Sequence, residues 1–187
     1  MKSLRVWFYD PAADSEGIIN KLVASIDRPF CHVELQFADD RACSIYMGSA
    51  VALRTRTFDS PNYVCLRLPC TDVQHTLAAG HAEHMHGKGL LFSSLQMTSC
   101  LLWARAVPSA KNTFCSKLVT EILQQAGLVG PGVDAHNISP SALHRLLQAQ
   151  AQAPPALAPP LKPSERTASL DFRVCGWRWP RRAAASP

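Results

Sequence analysis

Apolar and polar positions alternate in short runs over the first seventy residues, the period of half-buried strands. "SLRVWFY" (3–9) reads as a first strand. In "PFCHVELQF" (29–37) the alternation puts Cys31, Val33, Leu35 and Phe37 on one face and His32, Glu34 and Gln36 on the other. "ADDR" turns the chain into "ACSIYMG", "VALRTRTF" makes a third extended run, and "SPN" turns into a fourth, "YVCLRLP". These runs predict a mostly antiparallel meander. One helix interrupts it, capped by Asp14 or Ser15 and running to about Ile26, with Ile18, Ile19, Leu22, Val23 and Ile26 as its apolar stripe.

From Asp72 the period lengthens to that of helices. "DVQHTLAAGHAEHMHG" is one, ended by Gly87. "LLFSSLQMTSCLLWARA" is apolar on nearly all sides and predicts a deeply buried helix. "NTFCSKLVTEILQQAG" is a third, with Asn112 or Thr113 as N-cap and Gly127 as C-cap; "SPSALHRLLQAQAQ" is a fourth, with Ser139 as N-cap and Pro140 first in the helix. Strands followed by helices make the fold class α+β, an antiparallel sheet packed against helices. Residues 1–148 are expected to form one domain. A Pro/Ala-rich linker follows at 149–168, and a basic tail at 169–187 that includes a short strand returning to the sheet.

At 187 residues and 47% hydrophobic content, a core forms without disulfides or structural metal. The chain has no apolar run of membrane-spanning length, and that of "MKSLRVWFYD" is too short for a signal segment, so a soluble, cytoplasmic protein is expected. Seven cysteines, odd in number and irregularly spaced, fit reduced thiols better than a disulfide framework. The net charge of +5 lies mostly in the tail, where Lys162, Arg166, Arg173, Arg178, Arg181 and Arg182 stand against Glu165 and Asp171. A near-neutral body does not suggest a nucleic-acid-binding domain.

The candidate chemistry begins at Cys115, in the first turn of its predicted helix. Free backbone N–H groups and the positive end of the helix dipole favour a thiolate there and offer an oxyanion site. Cys115 shares a face with Leu118, Val119, Ile122 and Ala126, so the thiol is aimed inward at the strands. Acyl transfer through a thiol needs an imidazole within reach and a polar group to hold it. His32 supplies the first. Glu34 supplies the second, although one-strand spacing sets their Cβ atoms about 7 Å apart. Asp40 and Ser44 compete for that role. Most cysteines on an inward helix face are plain core thiols, and most strand His/Glu pairs are a solvated face; the combination sets these three residues apart.

The order "CHVELQF", then "FCSKLVTEILQQAGL", then "ISPSALHRLL" resembles the permuted papain-like enzymes of the NlpC/P60 superfamily, in the branch of bacterial YiiX/YaeF-like amidases and related poxvirus proteins. In that branch the His strand precedes the Cys helix, as here. "HGKGLLFSSL" (86–95) resembles its Gly-Lys-aromatic segment, with Leu90 and Leu91 standing before Phe92. Over residues 3–148 the resemblance implies Cys115 as nucleophile, His32 as general base and Glu34 as third residue. It implies a cysteine-dependent hydrolase or acyltransferase acting on a peptide, amide or lipid-ester substrate, with no cofactor and no metal.

Three other readings compete. A catalytically silent binding module on the same fold, viral or host-interacting, would use the linker and tail to recruit partners. "HAEHMH", with His81, His84 and His86 and with His75 upstream, raises zinc, although no Cys or carboxylate pair completes a tetrahedral set. "CGWRWPRR" sets Trp177 and Trp179 among arginines, a composition that touches anionic membranes or nucleic acid, or else ends a disordered polar tail.

Overall fold

The predicted alternation becomes a five-stranded antiparallel sheet in the computed structural model, which describes residues 2–11, 27–101 and 111–152. The strands are β1 (Lys2–Tyr9), β2 (His32–Gln36), β3 (Arg41–Ser44), β4 (Ala52–Thr55) and β5 (Tyr63–Cys70), in the order β4-β3-β2-β1-β5. The helix expected at 14–26, the tail and all but the first few residues of the expected linker lie outside the described residues.

The meander therefore holds only as far as β4. β5 does not continue it but crosses to the other edge and pairs with β1, Trp7 opposite Cys65 and Tyr9 opposite Tyr63. The crossing has a physical reason. Without β5, β1 would be an open edge, and the connection carries Arg56 and Phe58 over the face that bears Trp7 and Glu34. Phe58 stacks on Trp7, ring centroids 4.5 Å apart and nearly parallel.

Four helices lie among the described residues: α1 (Asp72–Gly87), α2 (Ser94–Leu101), α3 (Cys115–Gln125) and α4 (Pro140–Gln152). Thr71 and Gln74 form a capping box at the start of α1. The helix expected from Leu90 starts late. Ser93 accepts from the Gln96 amide at 3.1 Å and so starts α2, while Leu91–Phe92 (β6) pairs in parallel with Asn112–Thr113 (β7). Nor is α2 buried all round, since Leu95 is 75% exposed. α4 runs through Gln152, into the expected linker, because its Ala-Gln repeat is strongly helix-forming.

Beneath the sheet, Leu4, Val6 and Phe8 of β1 and Val33 and Leu35 of β2 meet Leu118, Val119 and Ile122 of α3. Each fully buried aliphatic side chain contributes about 1.5–3 kcal/mol. α3 ends in a Schellman turn: Gly127, at φ +66, donates to Gln124 O at 2.9 Å, and Leu128 donates to Leu123 O at 2.9 Å. Among the described residues no helix is long and apolar enough to cross a membrane.

Candidate active site

α3 begins at Cys115, and its N-cap is neither Asn112 nor Thr113. Both are drawn into β7, leaving extended Phe114 at the cap with no side-chain hydrogen bond to the first-turn amides. The start of α3 is thus open, a place where amide N–H groups accept an anion. Cys115 is 3% exposed. The Ser116 hydroxyl donates to Ile138 O at 2.7 Å and fixes this turn.

The segment that receives Ser116 also holds the start of the His strand. Ser139 caps α4, accepting from the Ala142 amide at 3.1 Å, and its hydroxyl donates to the Asp27 carboxylate. Ser141 accepts from the Phe30 amide at 3.0 Å and donates to Asp27 O at 2.8 Å. Residues 138–141 therefore tie the thiol helix to the loop that leads into β2.

His32 opens β2, and its ring lies 4.6 Å from that of Tyr46. Its Nε2 is 3.6 Å from Glu34 Oε1, and this nitrogen makes no hydrogen bond among the described residues. Burial pulls the imidazole down, but its interactions with Cys115 and Glu34 outweigh it and raise its pKa to about 9.

Glu34 is fully buried and heavily partnered. It accepts from Tyr46 Oη at 2.6 Å, Tyr63 Oη at 3.2 Å and Arg56 Nη1 at 3.2 Å. Arg56 also donates to both tyrosine hydroxyls and lies over the rings of Tyr46, Phe58 and Tyr63, with centroids 5.0–5.6 Å away. The polar face of β2 is thus a buried layer rather than a solvated one. Gln36 belongs to it, accepting from Trp7 Nε1 at 2.8 Å and donating to Arg56 O at 2.9 Å.

Cys115, His32 and Glu34 come together; Asp40 does not join them, and among the described residues no hydrogen bond ties Ser44, which the register sets across from Glu34, to any of the three. Asp40 sits in the turn at the far end of β2, at φ +61, paired with Arg5 at 2.6 Å. Ser44 is buried, and its hydroxyl has no hydrogen-bond partner among the described residues. Tyr46, Arg56 and Tyr63 escaped the sequence reading. Only the strand register and the path of the β4–β5 connection bring them to Glu34.

Beside Cys115 lies a cavity of about 10 Å³, lined by Cys31, Met97, Cys100, Phe114, Ser116, Ser139 and Pro140. The six described cysteines are free thiols. Burial pushes Cys31, Cys43 and Cys100 up to about 12. Among the described residues no group of three or more His, Cys, Asp or Glu side chains is arranged to hold a metal ion. His81 and His84 lie side by side, centroids 6.1 Å apart, and His86 Nδ1 bonds Val51 O at 2.8 Å.

Compared with known proteins, the chain matches no family profile, no curated protein and no solved structure.

Proposed function

We propose that this chain is a cysteine-dependent hydrolase or acyltransferase, built as a permuted papain-like domain of the NlpC/P60 kind. The observation that carries the reading is a part-buried imidazole that interacts with both a thiol at a helix start and a fully buried carboxylate. His32 holds the proton of Cys115. The thiolate attacks the carbonyl carbon of an amide, peptide or ester, and the first-turn amides of α3 hold the resulting oxyanion. His32 then protonates the leaving group, and water or another nucleophile releases the acyl group. Glu34 orients the imidazole and balances its charge. The chemistry needs no cofactor, and the free thiols favour a reducing, cytoplasmic setting.

One observation favours a second reading, a silent binding module. Cys115 is only 3% exposed, and the adjoining cavity of about 10 Å³ admits little more than a water.

Alkylation by a small reagent at neutral pH, read per cysteine by mass spectrometry, separates the two. On the enzyme reading Cys115 outpaces Cys31, Cys43 and Cys100, and His32→Ala removes the advantage. Equal sluggishness of all four thiols, or indifference to His32→Ala, sinks it and leaves the binding module.

A further inference from the structure

A second concavity lies across α3 from the thiol. Lys117 follows Cys115 by two residues, roughly 200° round the helix. There Lys117, Glu121 and Gln125 of α3, His81, Met85 and Lys88 at α1, Leu90 and Asn112 beside the β6–β7 pair, and His136 bound a cleft of about 600 Å³. Cys115 does not line it.

Lys117 is the unusual member. A lysine is rarely buried without a close partner, yet Lys117 is 5% exposed. Its ion pair with Glu121 spans 3.8 Å, beyond hydrogen-bond length. The other charges gather at the same place. Burial pushes the Glu121 carboxyl up, against the opposing pull of Lys117, His136 and Lys88. His136 Nδ1 is itself buried with no hydrogen-bond partner among the described residues. One carboxylate thus faces two ammonium groups and an imidazole, an excess of donors and of positive charge. His81 is held below its usual value by burial and by His84 and Lys88, so it adds a neutral imidazole.

The cleft has room for more than the anion. A bare oxyanion would leave most of about 600 Å³ empty, whereas organic ligands occupy pockets of about 300–1,000 Å³. Met85 and Leu90, 6% and 7% exposed, give an apolar floor for an organic group. Cations approaching from separate elements suit a tetrahedral dianion, which lysines bind as point charges.

We propose that this cleft binds a small phosphorylated organic molecule, its phosphate between Lys117 and Lys88 and its organic part over Met85 and Leu90. The site stands whether or not Cys115 is a nucleophile.

The test uses the full chain, titrated by calorimetry with inorganic phosphate and with phenyl phosphate. Amide NMR shifts of Thr113, Lys117 and His136 locate the binding. Phenyl phosphate should saturate one site and bind more tightly than phosphate. Lys117→Gln should weaken it about tenfold, and Glu121→Gln, which removes the competing carboxylate, should tighten it. A merely structural Lys117–Glu121 pair would not give opposite signs. Should Lys117→Gln fail to fold, Lys88→Gln, on an exposed side chain, must show the weakening instead. Equal affinity for the two probes would assign the site to free phosphate and overturn the organic ligand. No saturation in the millimolar range, or shifts elsewhere on the protein, would overturn the site.

Discussion

Arg56, in the connection after β4, places a guanidinium nitrogen 3.1 Å from the carboxylate of Glu34, which is wholly buried in the middle of β2. This pair makes the polar face of β2 tolerable. Removing one partner of a buried ion pair strands the other charge, at a cost of about 3–5 kcal/mol. Arg56 keeps 24% of its side chain exposed, so its removal falls at the low end. Arg56→Gln should destabilise the domain by about 3 kcal/mol in urea unfolding. A change under about 1 kcal/mol, the value of an exposed pair, would show that Tyr46 and Tyr63 suffice to hold Glu34.

The raised pKa of His32 makes stability depend on pH with a definite sign. Its ordinary value is 6.5, and in the fold it is about 9, because its interactions with Cys115 and Glu34 overcome burial. A group raised by folding contributes stability fully below its unfolded pKa and loses it as pH climbs through the folded one. The free energy of unfolding should therefore fall between pH 6.5 and about 9, by up to about 3 kcal/mol. His32→Gln should flatten the profile over that interval. Cys115→Ser should return the His32 titration, followed by NMR, towards its ordinary value. A His32 that titrates near 6.5 in the wild type would refute the ion-pair arrangement.

His32, Glu34 and Cys115 were legible because each sits where a local rule speaks. Alternation put His32 and Glu34 on one strand face, and helix periodicity put Cys115 in a first turn facing inward. The partners of Glu34 obey no local rule. Tyr46, Arg56 and Tyr63 come from three separate stretches and meet only because β5 pairs with β1. The cap of α3 misled for a related reason. Asn112 and Thr113 are good N-cap residues, but pairing with Leu91 and Phe92 holds them in β7. Tertiary pairing there overrides a preference worth about 1 kcal/mol.

Glu34→Gln separates charge from shape. The amide fills the same space and keeps one acceptor for the tyrosines, but it no longer supports a protonated imidazole. On the proposed mechanism, alkylation of Cys115 at neutral pH should slow about tenfold, the effect of roughly one pKa unit at His32. Glu34→Gln leaves the Arg56 guanidinium without its carboxylate, but that side chain is 24% exposed and still lies over three aromatic rings, so the stability cost falls at the low end and alkylation is read on the folded protein. Unchanged alkylation would reduce Glu34 to a packing role and leave His32 without an orienting partner.

Ser141 tests how the thiol and the imidazole are held together. Its hydroxyl, 1% exposed, is the acceptor for the Phe30 amide at 3.0 Å, two residues before His32. The same short segment accepts the Ser116 bond from the first turn of α3. Ser141→Ala leaves the Phe30 N–H buried and unpaired, which costs about 1–3 kcal/mol. The loss should be local, since β2 itself remains paired with β1 from Tyr9 to Arg5. Hydrogen exchange should therefore quicken at Phe30 and Cys31 but not at Leu35. Cys115 alkylation should slow along with it, because the imidazole is no longer fixed against the helix start. If exchange rises while alkylation does not, the register of β2 alone positions His32, and the 138–141 bridge serves stability only.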